Sequence, residues 1–204
     1  MEALLKSIDN MSVWPTDRSY ISPEQYLRIE RASEEKHEYF EGEVVTMNGA
    51  SMSHIRIVVN LIREIGNYLK NGSCEVLSND MRSSTPTSNA YMYPDVSIFC
   101  GQPELEDDKF DTLKNPSVIV EVLSPSTEKN DRGRKFFFYK QIPSLQEYIL
   151  IDAARHLIDV FSKQADKSWV KESITDPADF LSISTIKFRL PLEEVYRNVV
   201  FSRL

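Results

Sequence analysis

The sequence predicts an α/β or α+β fold in which helices pack against one mixed sheet. From Ser53 to Leu69, apolar residues recur at steps of three and four, which is typical of an amphipathic helix. The run Ser117–Leu123 is almost entirely apolar and β-branched, as expected of a buried central strand. The predicted elements follow the order helix, three strands, helix, strand, which is typical of a sheet covered by helices.

The length and composition are those of one globular domain, which we place over residues 1–204 with its core at about residues 36–172. With 41% hydrophobic and 27% charged residues, the chain is neither disordered nor fibrous. Its apolar runs are too short to span a membrane, and its first residues lack a signal-peptide pattern. Cys74 and Cys100 form no CxxC pattern, so we expect reduced thiols and a cytoplasmic protein.

Caps and turn residues divide the rest of the chain. Ser22-Pro23-Glu24-Gln25 is a capping box that opens a helix to about Ser33, after an N-terminal arm over residues 1–20. Residues 36–47 predict a hairpin that turns at Glu41-Gly42. The remaining predicted elements are strands at Cys74–Ser78, Asp95–Cys100 and Glu147–Asp152, a helix at Asp131–Gln141, a β segment or hairpin at residues 156–172, and short apolar pieces at residues 178–204 that cover an edge.

The charge of the chain bears on whether it binds nucleic acid. A net charge of −7 argues against an extended phosphate-binding surface. Residues 128–140 are a local exception, because five Lys or Arg residues are interleaved with aromatic residues there. Arg132, Arg134 and Lys140 are therefore candidate phosphate contacts; the alternative is an amphipathic helix whose cations are solvated. The acidic segment at residues 104–111 is expected to point away from nucleic acid.

Two carboxylates fall at positions where burial is expected. Asp95 follows Pro94 at the start of a predicted strand, and Glu121 interrupts the buried strand. A buried carboxylate is costly unless it is paired or bound to a metal. If the two strands are neighbours, Asp95 and Glu121 can hold one hard divalent cation such as Mg²⁺. The alternative is that Glu121 pairs with a Lys or Arg from a helix and is structural.

This pattern resembles a known nuclease family. A Pro-Asp at the start of one strand and a Glu inside the next are similar to the PD-(D/E)XK nuclease superfamily. More narrowly, the chain resembles the Uma-two family of restriction-endonuclease-like proteins. The matching stretches are EYFEGEVVTMNGAS, His54 at the start of the helix, YPDVSIF, and VIVEVLSPSTEKNDRGRKFFFYKQIPSLQEYILID, and they span roughly residues 22–155.

The resemblance implies a set of site residues. Asp95 and Glu121 match metal ligands for Mg²⁺ or Mn²⁺, and the carbonyl of Val122 is the implied third ligand. The motif lysine is replaced by Leu123, but Lys135 matches the position to which this lysine can move in relatives. Asp131, Lys135 and Tyr139 are four residues apart and share one helical face, which makes Tyr139 a further candidate. The alternative is that Asp131 and Lys135 form an exposed ion pair.

Three further residues are secondary candidates. Glu43 on the hairpin matches an acidic position of the family and is either an outer metal ligand or a solvated charge. His54 lies on the helical face that points toward the sheet, where it binds a metal-bound water or phosphate or is a buried structural histidine. Asp80 binds a metal through water or caps a turn.

These residues predict a metal-dependent DNA endonuclease of the restriction type. Asp95 and Glu121 are expected to hold Mg²⁺ or Mn²⁺, and Lys135 is expected to stabilise the charge that develops on the phosphate. A homodimer is implied, because cutting both strands with one small domain usually requires two copies. The alternative is an inactive nuclease-fold module that binds nucleic acid or protein, which the leucine at position 123 and the acidic charge favour.

Overall fold

Two sheets form the framework of the protein. The computed structural model describes residues 20–47 and 49–201, so the predicted arm lies outside the described residues except for Tyr20. The strands are β1 (His37–Phe40), β2 (Glu43–Thr46), β3 (Cys74–Ser78), β4 (Arg82–Ser84), β5 (Ala90–Met92), β6 (Val96–Cys100), β7 (Thr112–Leu113), β8 (Val118–Leu123), β9 (Glu147–Asp152), β10 (Ile158–Lys163), β11 (Trp169–Ile174), β12 (Phe180–Ile183) and β13 (Phe188–Pro191). The helices are α1 (Pro23–Glu30), α2 (Met52–Leu69), α3 (Glu128–Asn130), a π-helix (Asp131–Lys135), α4 (Phe136–Tyr139), a 3-10 helix (Ser184–Ile186) and α5 (Leu192–Val195).

The main sheet is mixed, with six strands in the order β11-β10-β9-β8-β6-β3. β8 runs parallel to β9 and antiparallel to β6, and all six of its residues are buried. A parallel pair needs a long crossover, which α3, the π-helix and α4 supply between β8 and β9. The predicted fold class and the predicted neighbouring strands are therefore confirmed.

One face of the main sheet is covered by α2. The helix begins at its N-cap Ser51, whose side chain accepts a hydrogen bond from the amide of His54. Ile57, Leu61 and Ile65 of α2 pack with the inward-facing valines and isoleucines of β6 and β8. β12, β13 and α5 join the same apolar cluster. The prediction that the C-terminal pieces cover an edge is thus wrong, because their apolar residues pack beside α2.

The other face is covered by a small sheet that the sequence did not predict as a whole. Its five strands lie in the order β2-β1-β5-β4-β7. The predicted hairpin is confirmed as β1 and β2, and both turn residues have positive φ, 50° at Glu41 and 97° at Gly42, as a tight hairpin turn requires. β4, β5 and β7 were missed because strands of three, three and two residues carry too little periodicity.

The helical crossover between β8 and β9, residues 128–139, is called the site helix below. Its middle turn, Asp131–Lys135, is π-helical, and one carbonyl of that turn, at Asp131, accepts a hydrogen bond from the Tyr148 hydroxyl at 2.9 Å. Single π-helical turns are frequent at functional sites, because they shift the side chains that follow onto a different face. Among the described residues, no helix is both long and apolar enough to cross a membrane.

The two cysteines form a disulfide in this structure, so the expectation of reduced thiols is wrong. Cys74 and Cys100 are direct partners in the antiparallel pair β3–β6, with their Cα atoms 3.9 Å apart. The sequence did not predict this bond, because the two cysteines are distant along the chain and only the register of β3 against β6 brings them together. The disulfide ties the edge strand β3 to the strand that follows Asp95.

Reduction of this disulfide is expected to lower the free energy of unfolding by about 3.5 kcal/mol, because the bond closes a loop with a sequence separation of 26 residues. Urea unfolding with and without dithiothreitol measures the difference. A double variant with serine at both cysteines should unfold at the same urea concentration under both conditions. An oxidised wild-type protein that is insensitive to reductant would contradict the expectation.

Candidate active site

Asp95 lies where β6 begins beside β8. Its Oδ2 accepts a hydrogen bond from the amide of Val122 at 2.7 Å, which continues the β6–β8 ladder through a side chain. Its Oδ1 lies 3.0 Å from Nε2 of His54, near the start of α2. Asp95 is buried, and two hydrogen bonds from different elements fix the direction of its carboxylate.

Glu121 points from β8 toward the small sheet and the site helix, on the same side as Ile119 and Leu123. Its Oε1 accepts hydrogen bonds from Nζ of Lys135 at 3.0 Å and from the Tyr139 hydroxyl at 2.9 Å. Its Oε2 lies 3.4 Å from the amide of Asp95. Asp95 and Glu121 therefore meet at the strand junction, as expected from the sequence.

Lys135 joins three carboxylates that come from three parts of the fold. Its Nζ lies 2.8 Å from Oε1 of Glu38 on β1, 3.0 Å from Glu121 and 3.5 Å from Asp131. All four side chains are buried. Lys135 thus reaches Glu121 from the helix, as the resemblance implied, while Leu123 packs in the apolar cluster. The alternative of an exposed Asp131–Lys135 pair is wrong, because neither residue is exposed.

Glu38 is the residue of this cluster that the sequence analysis missed. Every residue of β1 is buried, so the strand shows no alternation that would set Glu38 apart. The available signal was its place at the start of the family-matching stretch EYFEGEVV. The acid singled out there, Glu43, lies on β2 instead, where its side chain is 63% exposed and pairs with Arg134.

Burial and shared charge shift the pKa values of the cluster. Desolvation raises the pKa of Glu121 well above its usual range, although Lys135 lowers it, and desolvation also raises the pKa of Glu38 and of Asp131. Desolvation by itself would lower the pKa of Lys135, but the three carboxylates together raise it well above its usual range. Burial likewise raises the pKa of Tyr139. The lysine is therefore charged, and the carboxylates compete for one cation.

The other predicted site residues lie in different places. His54 contacts Asp95, as its helical face predicted. Asp80 has a side chain that is 83% exposed and pairs with Lys36, not with Lys135. The amide of Val122 binds Asp95, and the metal-binding role of its carbonyl stays a prediction.

Two of the three predicted phosphate contacts are already paired within the chain. Arg132 binds Glu128 and Asp159. Arg134 binds Glu43 and lies over the Phe40 ring at 4.1 Å from its centroid. Lys140 lies over the Phe136 ring, where its ammonium stays at the surface. The cationic side chains of residues 128–140 that are left to contact phosphate therefore cover only a small surface.

The acidic segment at residues 104–111 is bound in part by the chain itself. Arg31 pairs with Asp107 and Asp111, and the buried Arg82 also contacts Asp111. Glu106 accepts hydrogen bonds from the Tyr91 hydroxyl and from two serines. These acids therefore tie the segment to α1 and the small sheet.

The donor set fits a hard divalent ion held by few protein ligands. Three buried carboxylates, those of Glu38, Glu121 and Asp131, share Lys135, and the buried Asp95 lies next to Glu121, so the cluster has more acidic groups than cations. Mg²⁺ typically takes one or two carboxylates and keeps several waters. Among residues 20–47 and 49–201, no three His, Cys, Asp or Glu side chains are grouped closely enough to cage a metal. The pair Asp95 and Glu121 thus fits Mg²⁺ or Mn²⁺ with waters, and does not fit an all-protein site.

Replacing Lys135 by Met is expected to destabilise the fold in a pH-dependent way. At pH 7.5 the free energy of unfolding should fall by about 3–5 kcal/mol, because buried carboxylates lose their cation. Lys135 lowers the pKa of these carboxylates, so its removal raises their pKa in the folded variant. A carboxylate whose pKa is raised in the folded state stabilises the fold below its unfolded pKa and loses that contribution as pH rises. The loss should therefore be smaller at pH 5, as measured by urea unfolding.

The matched control is Lys129→Met, an exposed lysine on the same helix, which should change stability by less than about 0.5 kcal/mol. A loss in Lys135→Met that is equal at both pH values would contradict the shared-charge account of the cluster.

Comparison with known proteins supports one family. The family model of Uma2, described as "Putative restriction endonuclease", matches residues 23–193. The crystal structure of "a putative nuclease belonging to DUF820" from Anabaena variabilis is similar with a TM-score of 0.73 and 16% identity, covering 88% of this chain and 99% of that one. At this identity the likeness shows the fold alone.

Two relatives from Synechocystis sp. PCC 6803 are similar in sequence. "Uncharacterized protein slr1290" is 36% identical over 181 residues, which is 89% of this chain and 94% of the relative. "Uncharacterized protein sll1609" is 37% identical over 146 residues, which is 72% of this chain and 82% of the relative. Since the family model spans most of its length and the resemblance in its motifs is confirmed, this chain belongs to the Uma2 family of restriction-endonuclease-like proteins.

Proposed function

We propose that this protein is a metal-dependent endonuclease that hydrolyses phosphodiester bonds of DNA. The observation that carries the proposal is the pairing of Asp95 and Glu121 at the β6–β8 junction, inside a cluster with more carboxylates than cations. Membership of the Uma2 family and the nuclease-like fold support the same reaction class. Asp95 and Glu121 would hold Mg²⁺ or Mn²⁺, together with the Val122 carbonyl.

The residues of the chain hold this site in one geometry. A bound divalent ion would supply a nucleophilic water of lowered pKa and polarise the phosphate. The Val122 amide and His54 fix the carboxylate of Asp95. Lys135 and Tyr139 both bind Oε1 of Glu121, which leaves Oε2 facing Asp95. In this proposal Lys135 also offsets negative charge that develops at the phosphate.

DNA is the proposed substrate, and its binding should be weak and sensitive to salt. The net charge is −7, and Arg132 and Arg134 already bind carboxylates, so few cations of residues 128–140 are available for phosphates. Each phosphate contact adds to the salt dependence of binding, and a small footprint gives low affinity. A homodimer would bring two such sites to the two strands.

A second candidate function is a nuclease-fold module that binds nucleic acid or protein without cutting. The observation that favours it is the position of Lys135, whose ammonium is buried among three carboxylates and points away from solvent. Metal binding separates the two functions, because a binding module has no need to hold a divalent ion between Asp95 and Glu121.

The substitutions Asp95→Asn and Glu121→Gln are expected to abolish both Mn²⁺ binding and plasmid nicking, because each removes one charged ligand while keeping the shape of the side chain. Calorimetric titration of Mn²⁺ and a nicking assay on the same samples measure the two effects. The fold should persist, as far-ultraviolet circular dichroism can verify.

Asp80→Asn is the matched control, since it removes an exposed carboxylate that pairs with Lys36 and should leave both signals at the wild-type level. No Mn²⁺ binding in the wild type would favour the binding module, whereas Mn²⁺ binding without nicking would point to a missing partner or substrate. Binding and nicking that survive in Asp95→Asn or Glu121→Gln would refute the assignment of the site.

A further inference from the structure

Glu38 is held at the deep side of the cluster by the small sheet. It lies on β1, and its Oε1 accepts a hydrogen bond from the amide of Tyr93 at 3.1 Å. The same oxygen lies 2.8 Å from Nζ of Lys135, the shortest of the contacts that this ammonium makes with carboxylates. Glu38 therefore binds the Lys135 ammonium from the side of the small sheet.

Glu121 binds the same ammonium from the main sheet and uses its two oxygens differently. Oε1 faces Lys135, and Oε2 faces the amide of Asp95 at 3.4 Å. A lysine that moved toward Asp95 would lie between the two carboxylates, where a divalent ion is proposed to bind. In that position the ammonium would exclude a metal from the proposed site.

We propose that Glu38 is a positioning residue of the metal site: it holds Lys135 on the far side of Glu121 and so keeps the lysine from occupying the metal position between Glu121 and Asp95. This inference rests on the proposed metal site at Asp95 and Glu121. Glu38 acts through Lys135, in the way that residues around metal ligands commonly control the ligands themselves.

A positioning role of Glu38 and a purely electrostatic role predict different metal affinities for the variants. Without the Glu38 carboxylate, the ammonium is left with Asp131, Glu121 and Asp95, and it competes with the metal for the last two. Glu38→Asp keeps the charge but withdraws the carboxylate by one methylene from Lys135. A purely electrostatic role of Glu38 predicts wild-type metal affinity for Glu38→Asp, whereas the positioning role predicts a loss.

The test is calorimetric titration of Mn²⁺ into the full chain and its variants. Glu38→Gln and Glu38→Asp should each bind Mn²⁺ about tenfold more weakly than the wild type, the loss typical of removing an outer partner of a metal ligand. Glu43→Gln is the matched control from the same hairpin and should bind as the wild type does, because Glu43 is largely exposed and pairs with Arg134.

A double-mutant cycle with Lys135→Met tests whether Glu38 acts through the lysine. In the Lys135→Met background, Glu38→Gln should weaken Mn²⁺ binding by less than about twofold, because the competing ammonium is absent. Glu38→Gln/Lys135→Met has the same formal charge as the wild type, which offsets the cost of leaving the acids without a cation. If Lys135→Met alone fails to fold, Glu38→Asp still decides the question.

Three results would overturn the inference. Wild-type affinity in Glu38→Asp would show that only charge matters, and an equal loss from Glu38→Gln in both backgrounds would show that Glu38 does not act through Lys135. A loss of equal size in Glu43→Gln would show that the effect is not specific. If the wild type binds no Mn²⁺ at all, the metal site fails and this inference fails with it, whereas normal binding that Glu38 does not influence removes this inference alone.

Discussion

The ammonium group of Lys135 is the contact on which the arrangement of this protein depends. It joins Glu38 of the small sheet, Glu121 of the main sheet and Asp131 of its own helix, within 2.8 to 3.5 Å. β1 is far in sequence from β8 and the site helix, so this buried cation ties the small sheet to the other two elements. Removing the cation would leave like charges in a space from which water is largely excluded, which a fold tolerates poorly.

This arrangement would be a poor way to gain stability alone. Buried ion clusters often contribute less to stability than apolar residues of the same volume, because their desolvation is costly. Here the main sheet already has an extensive apolar cluster on each face, so the fold does not need the cluster for its core. The proposed metal site gives these carboxylates a use, because a bound divalent cation would offset their charge.

Much of the fold followed from the sequence, and the reasons are local. The periodicity of α2, the capping box at Ser22 and the β-branched run of β8 each predicted an element that the structure confirms. The disulfide between Cys74 and Cys100 did not follow, because it depends on the register of β3 against β6. The small sheet was missed because its short strands gain their stability from contacts with distant segments.

The residues of the candidate site were also predicted only in part from the sequence. Asp95 and Glu121 could be found because a charge in an apolar strand is conspicuous, and Lys135 because the family motif marked its position. Glu38 was missed, since a fully buried strand gives no sign of which side chain faces the site. Glu43, the secondary candidate from the same hairpin, is on the neighbouring strand and pairs with Arg134.

The most direct test of the account is a crystal structure of the protein soaked in Mn²⁺, with anomalous diffraction data collected to locate the metal. The account predicts one strong anomalous peak in contact with the carboxylates of both Asp95 and Glu121, with Lys135 still bound to Glu38. A crystal at saturating Mn²⁺ that has no peak at this pair, or has its peak at other residues, would contradict the central claim that these two strands form a metal site.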